Sequence, residues 1–149
     1  MDLATILSSG VLAGLVAGLV TLRTTERKIA IENITQQRQV WREKIREIAN
    51  QIHARYRAGE KNNVLAKYIE LQLLLNPNDI DDKSILDTLW LMASEESQSE
   101  LDVEFAEKLS LLLKHDWDRA KNEAKPFWFH LRSVQRVSYS DFKFKRNQS

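Results

Sequence analysis

Leu3–Leu22 reads LATILSSGVLAGLVAGLVTL without one charged side chain, and from Thr24 the chain runs on to Ala58 with no glycine or proline to interrupt a helix. At about 1.5 Å per residue the uncharged run would rise about 30 Å, the thickness of a bilayer's hydrocarbon core. The sequence therefore predicts one N-terminal transmembrane helix continuing into a long helix rich in Glu, Lys, Arg, Gln and Ile. A cleaved signal peptide fits less well, because it needs a positive n-region and a shorter apolar run, and only Met1 and Asp2 precede Leu3. The other rival, a buried helix of a soluble protein, seldom stays uncharged for so long.

The flanks predict orientation. Asp2 lies on one side, while Arg23, Arg27 and Lys28 follow on the other, opposed only by Glu26. Positive flanks stay cytoplasmic, so the expected topology is single-pass with the N-terminus outside and everything after Leu22 inside.

Within the run, Gly10, Gly14 and Gly18 recur every four residues, with Ser9, Ala13, Ala17 and Thr21 beside them. In lipid, apolar burial drives no association, but small side chains let two backbones approach and gain dispersion contacts. Gly10, Ala13, Gly14, Ala17 and Gly18 are therefore the predicted helix-helix interface of a homo-oligomer. Ile6, Leu7, Val11, Leu15 and Leu19 are left for lipid. The competing reading is that Gly and Ala are simply common in spans.

Beyond the run, Ile31, Ile34, Arg38, Trp41, Ile45, Ile48 and Ile52 are spaced alternately by three and four, a heptad seam interrupted only by Arg38. This seam serves either a coiled coil or a helix packed on its own domain. Gly59 is the natural residue to close the helix. A Leu-rich helix over Val64–Leu75 follows, stopped by Asn76 and Pro77. A third helix begins at Asp79–Asp82 and carries Ile85, Leu86, Leu89 and Trp90. A fourth, from about Glu100 to Lys125, carries Phe105, Leu109, Leu112 and Leu113. Trp90 and Leu112 are expected in the core. The predicted fold is all-α: an anchor over 1–22, a cytoplasmic helical bundle over 23–125 and a basic aromatic segment over 126–149.

Net charge is only +1, yet charge is segregated: +5 over Arg23–Lys61, −7 over Asn62–Lys125 and +4 over Pro126–Ser149. The basic first helix can thus pair with the acidic middle. Such pairs contribute less than buried Leu, Ile and Trp, because exposed ion pairs are each worth under about 1 kcal/mol.

The chain has no cysteine and only three histidines, His53, His115 and His130, all distant in sequence. Thiolate chemistry is excluded and zinc ligation is disfavoured. Asp79, Asp81 and Asp82 resemble the start of a calcium loop but lack its later ligands and turning glycine, and they suit a helix N-terminus better. His115, Asp116 and Asp118 point in different directions on a helix and fit a solvated helix end. No glycine-rich phosphate loop, GxSxG elbow or HExxH occurs. The expectation is a non-enzymatic protein with no cofactor, no metal and no catalytic residue.

The C-terminal stretch sets Phe127, Trp128, Phe129, Tyr139, Phe142 and Phe144 among Arg132, Arg136, Lys143, Lys145 and Arg146. That composition suits contact with anionic lipid through Trp128, Arg132, Arg136, Lys143, Lys145 and Arg146. Single-stranded nucleic acid ranks well below lipid as a partner. Alternatively, Phe127, Trp128, Leu131 and Val134 finish the domain core and the rest is a tail.

IENITQQRQVWREKIREIANQI, followed by LQLLLNPNDIDDKSIL, resembles a pattern in small bacterial and prophage-type single-pass membrane proteins. It consists of an apolar helix, a Gln-Arg...Trp-Arg helix and a Leu-rich helix closing on Asn-Pro. Gln37, Arg38, Trp41, Arg42, Leu73, Leu75, Asn76 and Pro77 carry the resemblance, which spans Met1–Leu86. It implies an association with phage defence or exclusion and no more than that. The sequence reading is thus an oligomeric inner-membrane protein whose cytoplasmic domain senses or recruits a protein partner as a membrane effector. A membrane-tethered scaffold for a cytoplasmic enzyme or nucleoprotein is the alternative.

Overall fold

The computed structural model describes residues 3–94, 99–125 and 133–148, with the side chains of 3–9, 30 and 99 outside that description. The chain is all-helical: α1 (Leu3–Arg57), α2 (Lys61–Gln72), α3 (Ile80–Ser94), α4 (Ser99–Glu123) and α5 (Tyr139–Arg146), with no strand among the described residues. It divides into two compact units, Met1–Val40 and Trp41–Ser149.

The first unit is helix alone. Val11, Leu12, Leu15, Val16, Leu19, Val20 and Leu22 stand 57–64% exposed. Thr21 and Thr24 turn their hydroxyls back to the carbonyls of Ala17 and Val20 at 2.8 and 2.9 Å, so neither hydroxyl needs an outside partner. Further on, Ile31 and Ile34 are also exposed. Among the described residues no helix is long and apolar enough to cross a membrane.

The second unit has its own core, in which Ile45, Ile48, Ile52 and Tyr56 of α1 meet Val64 and Leu71 of α2, Ile85, Leu89 and Met92 of α3, and Phe105, Leu109 and Leu112 of α4. The two readings of the heptad seam therefore divide by position. From Ile45 onward it packs on its own domain, whereas Ile31 and Ile34 have no such cover. Trp41 is half-buried in this unit and donates its indole N–H to the carbonyl of Leu74 at 2.9 Å, satisfying an acceptor that the end of α2 leaves without a helical partner.

Gly59 ends α1 with φ +74°, a conformation that costs a side-chain-bearing residue but not glycine. The Gly59 amide donates to Tyr56 at 3.0 Å and the Glu60 amide to Arg55 at 2.9 Å, the paired bonds of a Schellman closure. Helix α2 stops at Gln72, short of the expected Leu75, because its last turn tightens: Leu74 and Leu75 donate to Leu71 and Gln72. Asp79 then caps α3, its carboxylate accepting from the amides of Asp81 and Asp82 at 2.9 and 3.1 Å.

Trp90, expected inside, is 54% exposed and meets the Tyr68 ring edge-on at 6.0 Å. The reason is angular. Ile85, Leu89 and Met92 already occupy the inward face of α3, and Trp90 lies about 100° around the helix from Leu89. Leu112 is buried as expected.

Candidate functional site

Three polar clusters tie the compact unit together, each joining residues far apart in sequence. The first fastens the C-terminal segment. Arg136 puts its guanidinium against Asp82, with Asp79 at 3.5 Å and Asp81 at 4.0 Å; the side chains of Arg136 and Asp82 are only 8% and 7% exposed. Asp82 also accepts from the Asn76 amide at 2.8 Å. The Asp79–Asp82 run is thus both a helix cap and the seat of a buried cation.

The second cluster lies between α3, α4 and α5. The Lys108 ammonium is buried, pairs with Glu104 at 2.7 Å and donates to the Thr88 hydroxyl at 2.7 Å and the Ser84 carbonyl at 3.2 Å. Tyr139 covers it, ring centre 5.1 Å from the nitrogen, and donates its hydroxyl to Glu107 at 3.0 Å. Burial and that hydrogen bond push the Tyr139 phenol well above its ordinary value. Lys143 approaches Glu104 at 4.0 Å, and Arg146 pairs with Glu107. Ser138 opens α5, its hydroxyl accepting from the Asp141 amide at 3.2 Å.

The third set joins α1 to α4. Asp102, buried, holds His53 at 2.8 Å and Arg57 at 3.0 Å. Asp116 takes Arg42 at 2.6 Å, and the Trp117 ring stacks under both Arg42 and Lys121, 5.5 and 5.0 Å from its centre. The basic first helix does meet the acidic middle, at these two carboxylates. Asp116 is therefore not at a solvated helix end, because its helix face is turned to α1. His115 beside it is held below the ordinary imidazole range, first by burial and then by Arg119 and Arg136, with Asp79 and Asp116 opposing.

These clusters change the expected lipid-contact set. Arg136 does not belong to it, since its charge is spent inside the unit on Asp82. Lys143 and Arg146 sit over acidic residues of α4, and Lys145 is exposed on α5. Trp128 and Arg132 lie outside the described residues, as do Pro126, Phe127 and Leu131. Val134 is half-buried.

Of the predicted helix-helix residues, Gly10, Gly14 and Gly18 have open space where a Cβ would stand, and Ala13 and Ala17 are exposed. One surface escaped the sequence reading. Leu65 and Ile69 on the outer side of α2 and Leu73 at its C-cap follow each other every four residues, all exposed, with Trp90 of α3 beside Tyr68. The four-residue spacing was the available signal. It was hidden because Leu71, Leu74 and Leu75 interleave with it and make the whole helix look buried. Among the described residues no cluster of His, Asp and Glu could hold a metal ion.

Compared with known protein families, curated proteins and solved structures, the chain matches none.

Proposed function

We propose that the chain is a membrane-anchored, self-associating recruitment protein: an N-terminal helix in the bilayer, a helical domain on the cytoplasmic side and an exposed face that takes a protein partner. The observation that carries it is the first unit itself. Large apolar side chains surround the helix from Val11 to Leu22, more than half exposed, and its threonine hydroxyls are satisfied within the helix. Water would penalise that surface, whereas lipid supplies the missing burial without asking for hydrogen bonds. Leu3–Ser9, uncharged in sequence, would complete the span.

The recruitment part draws on Leu65, Ile69, Leu73 and Trp90. Large apolar side chains left exposed on one helix, with an aromatic on the next, are the composition of a protein-binding surface. On this reading the domain is non-enzymatic, the membrane is the bacterial inner membrane, and the role in phage defence follows from the resemblance to prophage-type proteins.

The test is fractionation with topology. The full chain should stay with membranes through alkaline carbonate. A reporter fused after Ser149 should be active only in a form that requires the cytoplasm. Extraction by carbonate would remove the anchor, and an active periplasmic reporter would reverse the orientation. Dye release from vesicles carrying the chain would mark an effector; intact vesicles would favour the scaffold.

A further inference from the structure

The C-terminal segment is held by contacts of opposite character. At Arg136 the ion pair is buried on both sides, so releasing it would strand charge in the interior. At its start α5 is held as well by Tyr139, whose ring covers the buried Lys108 and whose hydroxyl donates to Glu107. Beyond Tyr139 the cations are open to water: Lys143 and Arg146 are about half exposed, facing the less exposed Glu104 and Glu107. Exposed pairs of this kind contribute little and weaken with salt. Meanwhile α5 presents Phe144, 66% exposed, and Lys145 to solvent.

We propose that α5 beyond Tyr139 is a releasable arm, rooted at Arg136 and Tyr139, whose alternative partner is an anionic lipid surface. The acidic face of α4 holds Lys143 and Arg146 in the closed state. Headgroup phosphates offer these cations an equivalent set of negative charges. Phe144 gains on the same exchange, because an aromatic ring exposed to water in the closed arm enters the interfacial region of the bilayer. The carboxylates of Glu104 and Glu107 therefore set how much anionic lipid is needed, and Arg136 keeps the arm attached to α3 throughout. This inference rests on the membrane-anchored reading, which brings α5 into reach of a lipid surface.

The sequence has no cysteine, so Gln148→Cys in the full chain gives a single labelling site, in the turn just past the end of α5 and four residues after Phe144. An environment-sensitive fluorophore at this position should brighten severalfold and shift to the blue when the chain is placed in vesicles containing phosphatidylglycerol. Raising salt should reverse the change. Vesicles of phosphatidylcholine alone, or the same vesicles with added inorganic phosphate, should leave the label as in water. Glu107→Gln, which leaves the pair between Glu104 and the buried Lys108 in place, should lower the fraction of anionic lipid required, and Lys143→Gln with Lys145→Gln should raise it; helicity of each variant is checked by circular dichroism. Equal emission in both vesicle types, or a threshold that neither set of changes moves, overturns the arm. Flotation of the same samples separates this from the anchor: a chain that floats with both vesicle types but shows no response loses only the arm, and one that floats with neither loses both.

Discussion

Arg136 and Asp82 form an ion pair inside the compact unit, joining the segment before α5 to the first turn of α3, with both side chains more than nine-tenths buried. Neither charge has water to fall back on, so the pair is worth most as a condition on both partners being present. Truncating one leaves the other stranded, at a cost of about 3–5 kcal/mol. Asp82→Ala and Arg136→Ala should each lower the urea midpoint by that order. The double variant should cost clearly less than the sum of the two. Additive losses in such a cycle would mean that the two groups do not depend on each other.

Leu112 and Trp90 should separate just as clearly. Leu112 lies in the core beside Phe105 and Leu109, and Leu112→Ala should cost about 2–5 kcal/mol. Trp90→Ala removes a half-exposed ring whose described aromatic contact is the edge of Tyr68, and should cost about 1 kcal/mol or less. If the α2–α3 face recruits a partner, Trp90→Ala should weaken capture while leaving thermal unfolding nearly unchanged. Equal losses of stability at the two positions would place Trp90 in the core after all.

Stability should also depend on His115. Its imidazole is held below the ordinary value, by burial first and then by Arg119 and Arg136. The unfolded chain therefore takes up this proton before the folded one does. The contribution is fully present above the unfolded pKa of about 6.5 and is lost as pH falls from there toward the folded value. Urea midpoints measured from pH 7.5 down to about 5 should fall less steeply for His115→Gln than for the unaltered chain. An identical slope would show that His115 titrates alike in both states.

The first four helices were legible in the sequence because each has local punctuation, whereas α5, read as a lipid-contacting stretch or a tail, was not. The three-four spacing of Ile45, Ile48 and Ile52 gave a buried stripe, Gly59 a stop, and Asp79 a cap. What the sequence could not disclose was which cation meets which carboxylate. Arg136 and Asp82 are 54 residues apart and Arg42 and Asp116 are 74 apart, and such pairs are selected by packing rather than spacing. Arg136 read as lipid-seeking because the charge and aromatics of its segment are conspicuous in isolation. The acidic faces of α3 and α4 that receive them become visible only when the chain is folded. Trp90 was misplaced for the opposite reason: hydrophobicity marks a residue as able to be buried, and the rotation of α3 then decides that Leu89 is buried and Trp90 is not.

Gly14 offers the test closest to the proposed assembly. Open space surrounds the position at which its Cβ would stand, so Gly14→Leu meets no obstacle within one copy of the chain. Leucine is also the better helix former by nearly 1 kcal/mol, so the substitution should not harm the isolated helix. Any loss it causes must therefore arise between molecules, where a bulky side chain would keep two backbones from approaching. Leu15→Ile alters an exposed side chain next to it and serves as the control. With Thr24→Cys as the one thiol, oxidative cross-linking in native membranes should fall for Gly14→Leu and persist for Leu15→Ile. Equal cross-linking in the two variants would show that Gly10, Gly14 and Gly18 are no more than the ordinary composition of an apolar helix. A Gly14→Leu chain that still cross-links but fails to capture its partner would place another protein against this face, and the scaffold reading would then lead.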